Sequence, residues 1–183
     1  MSTTLAGFGL KPVYHPSGVI RPAVYTIASG YATGILQGQP VKITTSGVVE
    51  AAAVGDRFVG SFQGVTWTDS DGVQRFSPQW TASTVGTNIQ CNVTADPAIV
   101  YAIQADDTLA ITTIGAQYDF NVASGSTTTG LSSMTLDVAS TAANASLQVM
   151  GLFNAVDNAW GDTYTIVLVR ISEHEFVADV AGF

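Results

Sequence analysis

Charge is scarce in this sequence. Of its 183 residues, 11% are Asp, Glu, Lys or Arg, against about 25% in an ordinary soluble domain. Only six are cationic. Six scattered cations cannot neutralise a run of phosphates, which excludes electrostatic binding to nucleic acid and to an anionic membrane surface. Cysteine is almost absent: Cys91 stands alone, so no internal disulfide can form. Its alternating surroundings, Asn88-Ile-Gln-Cys-Asn-Val93, read as a strand with a buried, inert thiol. There are two histidines, His15 and His174, too few for a multi-histidine zinc site. Long apolar runs are missing as well. The run 166–169 falls far short of the roughly 20 residues that a spanning helix needs. The opening residues show neither a basic n-region nor an apolar h-region, so no signal peptide is expected. The corresponding expectation is a soluble protein made in a reducing cytosol, where the sequons Asn92-Val-Thr94 and Asn144-Ala-Ser146 are chance matches.

What fills the space left by charge is Gly, Ala, Ser and Thr. Hydrophobic content is an ordinary 46%, and the formal net charge is −8. Low charge at normal hydrophobicity is the reverse of the disorder signature. A chain of this size can bury about 70% of its unfolded surface, enough for one core or two small ones. The patterning is β throughout. Alternating segments at 41–44, 58–65, 88–93, 98–104, 108–114, 118–122, 131–138, 147–153 and 163–171 are separated by turn residues at close spacing. Asp71-Gly72 marks a hairpin, because Asp-Gly supplies the positive φ that such turns require. The best helical candidate is one short turn at 138–144, capped by Asp137 or Ser140. The segment 123–130, rich in Gly, Ser and Thr, reads as a long hairpin connection or a linker. The expected fold is all-β: a small barrel or sandwich of many short antiparallel strands.

A weak echo recurs at an offset of sixty residues. Val41, Ile43, Val49, Val54, Gly55 and Phe58 face Tyr101, Ile103, Leu109, Ile114, Gly115 and Tyr118. It suggests a β domain over 23–183 composed of two similar units, about 34–95 and 96–183. Residues 1–22 stand apart. Pro12, Pro16 and Pro22 push the residues before them toward extended conformations, and apolar residues occur without period. The segment is either a frayed terminus or an arm that orders on a partner. Phe8, Leu10, Val13 and Tyr14 are more apolar than a merely solvated segment needs.

Residues able to do chemistry are few and dispersed. There is no phosphate-binding glycine loop or dinucleotide fingerprint, and Ser61 in Gly60-Ser-Phe-Gln-Gly64 is misplaced for a nucleophile elbow. In Glu173-His174-Glu175 a strand would place the two carboxylates on one face and the imidazole on the other. Asp69-Ser-Asp-Gly72 resembles part of a calcium loop, but the register would put Trp67 and Pro78 at ligand positions. Asp106-Asp107 is read as a turn. Asp157 and Asp162, on either side of Trp160, are too little to define a glycosidase. No catalytic residue, cofactor or metal is expected. A surface of Ser, Thr, Ala and Gly suits a protein that sits in an assembly, since charge is what ordinarily keeps surfaces apart.

The stretch 38–60, Gly-Gln-Pro-Val-Lys-Ile-Thr-Thr-Ser-Gly-Val-Val-Glu-Ala-Ala-Ala-Val-Gly-Asp-Arg-Phe-Val-Gly, resembles the barrel core of tailed-phage capsid decoration (cement) proteins. Ile103-Gln-Ala-Asp-Asp, Asp157-Asn-Ala-Trp-Gly-Asp162 and Val167-Leu-Val-Arg-Ile-Ser-Glu-His174 are similar to small head proteins encoded near the major capsid protein. The motifs are loose, chiefly turn glycines between strands, and the chain is longer than single-barrel members. The resemblance implies a non-enzymatic virion protein on the outer capsid surface. It would be made in the host cytoplasm, assemble as a dimer or trimer, and bind the major capsid protein through its arm. Phe8, Leu10, Val13 and Tyr14 would make the capsid contact by strand addition. The competing expectations are a tail or fibre protein with a carbohydrate-binding face built from Trp67, Trp80 and Trp160, and a hydrolase using an acidic pair.

Overall fold

The computed structural model describes residues 2–121, 125–142 and 144–178. Strands come in the order β1 (Lys11–Tyr14), β2 (Ala23–Tyr25), β3 (Pro40–Ile43), β4 (Val49–Ala51), β5 (Gly60–Thr68), β6 (Gln74–Ser77) and β7 (Thr87–Thr94). They continue as β8 (Val100–Gln104), β9 (Gln117–Tyr118), β10 (Phe120–Asn121), β11 (Thr135–Leu136), β12 (Leu147–Leu152) and β13 (Ile166–Ile171). Two single 3₁₀ turns, Ile111–Thr113 and Val138–Ser140, are the helical elements among the described residues. The fold is all-β and sandwich-like, as the alternation requires. Its sheets are open rather than closed into a barrel: β1-β8-β13-β12-β9 in one, β2-β7-β5-β3-β4 with β6 beside β5 in the other, and a β10–β11 ribbon. Every strand pairing is antiparallel.

Each large sheet has its own core. Tyr101, Ile103, Leu147, Val149, Val167 and Val169 fill the first, with Phe120 and Leu136 from the ribbon. Val41, Phe62, Val65, Trp80, Cys91 and Val93 fill the second. Three residues from earlier in the chain, Leu10, Ala52 and Phe58, belong to the first core, and Phe58 meets Phe120 edge-on at 5.8 Å. Ile20 packs against the same core, so residues well before 95 contribute to it.

The sixty-residue echo holds locally and fails globally. Asp56 N donates to Ala53 O and Ala116 N to Thr113 O, at 3.1 and 3.0 Å. Gly55 and Gly115 both have positive φ, Val54 and Ile114 are exposed, and Phe58 and Tyr118 are buried. The neighbours differ, however. β3 lies between β5 and β4, whereas β8 lies between β1 and β13. The echo is a repeated strand–turn–aromatic unit within two differently ordered sheets.

Several local expectations are corrected. The segment 108–114 is no strand: it carries the exposed 3₁₀ turn, with Leu109 alone reaching the core. Within 131–138 only β11 pairs as a strand. The turn after Asp137 forms, with Asp137 Oδ1 accepting from Ala139 N at 3.0 Å, but is three residues long. Asp71-Gly72 turns the β5–β6 hairpin, where Asp69 Oδ1 accepts from Val73 N at 2.9 Å. Residues 125–130 lie in the β10–β11 connection, while 122–124 and 143, covered by the same expectations, lie outside the described residues.

Candidate interaction surface

The opening segment is folded onto the rest of the chain. β1 runs antiparallel to β8, with Lys11 opposite Ala102 and Tyr14 opposite Val100. β2 runs antiparallel to β7, with Ala23 opposite Val93 and Tyr25 opposite Cys91. Because β7 and β8 are consecutive, the opening segment pairs with them at both ends, 11–14 with 100–102 and 23–25 with 91–93, and passes from one sheet to the other between them. β1 and β2 are therefore edge strands of different sheets. Pro12 is tolerated in β1 because an edge strand can do without one donor.

The bend is held by a polar turn. His15 Nδ1 accepts from Ser17 N at 3.1 Å and lies 2.6 Å from Ser17 Oγ. With Nδ1 accepting, Nε2 carries the proton toward Asp96 Oδ2, 3.3 Å away. Gly18 N donates to His15 O at 2.8 Å. A cleft of about 350 Å³ opens there, lined by His15, Ser17, Val19, Arg21, Asp96 and Ile99. A second groove of about 300 Å³ runs beside β1, between Phe8, Pro12 and Leu131 and the amides of Gln37 and Gln63. Lys11 is its only charged lining residue. The chain has no acidic residue before Glu50, but Asp96 lines the first cleft together with Arg21.

The four arm residues are placed differently from one another. Tyr14 is 56% exposed, and Phe8 and Val13 are half-buried. Leu10 is fully buried in the first core. Its N–H donates to Gly38 O at 2.8 Å and its carbonyl accepts from Ser61 Oγ at 2.8 Å. Leu10 is thus a core residue, and the segment around it is part of the fold instead of a free arm. The sequence reading missed Val19 and Val24, 53% and 60% exposed. With Tyr14 they make three large apolar side chains turned to solvent on the segment that carries both edge strands. The signal available was their spacing around Pro16 and Pro22, which keep the segment extended.

The remaining candidates do not assemble. Trp80 is buried and donates from Nε1 to Tyr31 O at 3.3 Å. Trp67 meets it edge-on at 6.2 Å, and Trp160 packs on the other core. The three indoles share no stacking face. Asp162 Oδ2 accepts from Ser2 N and Ala159 N at 3.0 and 2.9 Å, which holds its carboxyl below the usual range. Among the described residues, no three His, Cys, Asp or Glu side chains are grouped to hold a metal. No helix of the described residues is long and apolar enough to cross a membrane. Comparison of the chain with family models, curated proteins and solved structures finds no match.

Proposed function

We propose that this chain is a structural protein of a tailed-phage head, a decoration protein that docks on the outer capsid by adding its β1–β2 edge to strands of the capsid protein. The observation that carries the reading is the pair of edge strands, contributed by one continuous segment, with Tyr14, Val19 and Val24 exposed along it. An edge strand offers unpaired main-chain groups, which strand addition satisfies. Exposed apolar side chains beside it supply the desolvation energy that main-chain bonds alone lack. The low surface charge reduces what must be desolvated across a large contact. The reading gives the chain no catalytic role, and repeated copies would multiply a modest affinity.

Deleting residues 1–15 would remove Leu10 from the core and is no clean test. Point changes on the exposed edge are. Heads of the same virus stripped of this protein are mixed with the full chain and sedimented. The unmodified chain is expected to co-sediment. Val24→Arg and Tyr14→Ala should each weaken binding about tenfold or more with an unchanged circular dichroism spectrum. Val156→Arg, at a fully exposed position off this edge, should bind normally. Failure of the unmodified chain to bind overturns the decoration role. Normal binding by both edge variants overturns the edge.

A further inference from the structure

The segment that follows β13 crosses from its own sheet onto the other. Phe58 N donates to Glu173 O, and Glu175 N donates to Phe58 O, each at 3.3 Å. The two bonds make a parallel bridge between Phe58 and His174. Ile43 N, in β3, donates to both carboxylate oxygens of Glu175 at 3.0 and 3.1 Å. Arg57 Nη2 donates to the carbonyls of His174 and Val177 at 3.2 and 3.1 Å. At the centre lies the His174 side chain, with the residue 1% exposed. Its ring nitrogens are engaged in opposite senses. Nδ1 accepts from Phe176 N at 3.1 Å. Nε2 stands 3.1 Å from Ala95 O, which can only accept. Both contacts are satisfied together by the neutral ring carrying its proton on Nε2.

We propose that residues 173–178 form an acid-released clasp between the two sheets, with His174 as its trigger. Protonating Nδ1 would set an N–H against the N–H of Phe176, which would lose its acceptor. It would also place a charge where water is excluded. The charged groups facing the ring are few. Asp96, from the β7–β8 corner, favours the charged ring, and Arg57, before β5, opposes it. Glu173 and Glu175 flank it on its own segment, and Arg170 of β13 lines the same small cavity as the ring. Burial outweighs the favourable contacts and holds His174 below the usual histidine range. The closed clasp therefore prefers the neutral ring, while a released ring titrates near 6.5. Closure is fully favoured above that value and weakens as pH falls from it toward the closed-state pKa. Glu175 works in the opposite sense. Burial raises its carboxyl, so its protonation as pH falls favours the closed form.

Hydrogen exchange of the full chain at pH 7.5 and 5.5, corrected for intrinsic rates, tests the clasp. One unit below 6.5 the opening equilibrium rises, with about tenfold as the ceiling reached only by a ring that stays neutral while closed. The amides of Phe58, Glu175, Phe176 and Val177 are expected to lose protection, by up to about tenfold. Those of Val167 and Val169, inside β13, should hold. His174→Gln cannot charge and should show no such loss. Unchanged protection in the unmodified chain, or the same loss in His174→Gln, overturns the proposal. If that variant fails to fold, nitrogen NMR of the His174 ring in the unmodified chain decides. Bare Nδ1 at neutral pH, titrating in step with the loss of protection, supports the clasp. A ring protonated on Nδ1 at neutral pH, or one that stays neutral while the amides open, overturns it.

Discussion

The hydroxyl of Ser61 donates to the carbonyl of Leu10 at 2.8 Å, a buried bond between residues 51 positions apart. It joins β5, in one sheet, to the residue that delivers an opening-segment side chain into the core of the other. Leu10→Ala is therefore expected to cost about 2–5 kcal/mol, the range for a buried leucine. Ser61→Ala leaves the Leu10 carbonyl without this donor and should cost about 1–3 kcal/mol. Urea unfolding followed by tryptophan fluorescence measures both. Losses near zero would show that residues 2–14 fold independently of the two sheets.

That bond also marks where the sequence stopped being informative. Alternation at 58–65, 88–93, 98–104 and 147–153 located the long strands because one buried face writes a period of two into the sequence. Asp71-Gly72 located a hairpin because its turn chemistry is local. The docking of Leu10 is neither periodic nor local. Pro12 and Pro16 made the segment look detached, since proline weakens any strand pattern, yet an edge strand accepts it. Leu109 misled in the opposite direction, as one buried side chain gave 108–114 an apparent period that its exposed neighbours do not share. The candidate surface was half legible. Tyr14 was found as an exposed apolar residue. Val24 fell at the start of the expected β domain, 23–183, and only the sheet order reveals that it lies on an edge.

Cys91 was legible in full, and its chemistry follows from its place. It faces Tyr25 on one side and Val65 on the other, and burial pushes its thiol up to about 12. An ordinary thiol titrates near 8.5. At pH 8 the native protein should therefore present roughly three orders of magnitude less thiolate than the unfolded chain. Ellman's reagent is expected to react at once in guanidinium and only through slow opening in buffer. Rapid stoichiometric reaction of the native protein would contradict the buried placement.

Two glycines in strands should respond oppositely to the same change. A Cβ on Gly60 would sit 2.0 Å from the Thr94 carbonyl oxygen, part of the backbone of β7. Gly60→Ala must push β5 away from β7 and is expected to cost about 1–3 kcal/mol or more. Gly151 has open space where its Cβ would go. Gly151→Ala, which also restricts the unfolded chain, should be neutral or stabilise by about 0.4–1 kcal/mol. Thermal midpoints of the two variants compare them directly. Equal midpoints would contradict the close approach of β5 and β7.

The buried side chain of Gln104 holds the first described residues in place. Its Oε1 accepts from Ala6 N at 2.7 Å, and its Nε2 donates to Thr4 O at 3.0 Å. Asp162 adds a second anchor at Ser2, whose N–H, with that of Ala159, lowers its carboxyl pKa. An acid depressed in the folded state contributes above its unfolded value, near 3.9, and loses that contribution as pH falls through the folded value. The Ser2 anchor should thus be intact at pH 7 and released only in strong acid. Gln104→Leu removes the first anchor at any pH. It is expected to raise exchange of the Ala6 amide at pH 7 while the Leu10 amide, bonded to Gly38 O, stays protected. Loss of protection at both amides together would mean that residues 2–10 open as one unit. The core contact of Leu10 would then depend on the anchor at Gln104 as well as on its own burial.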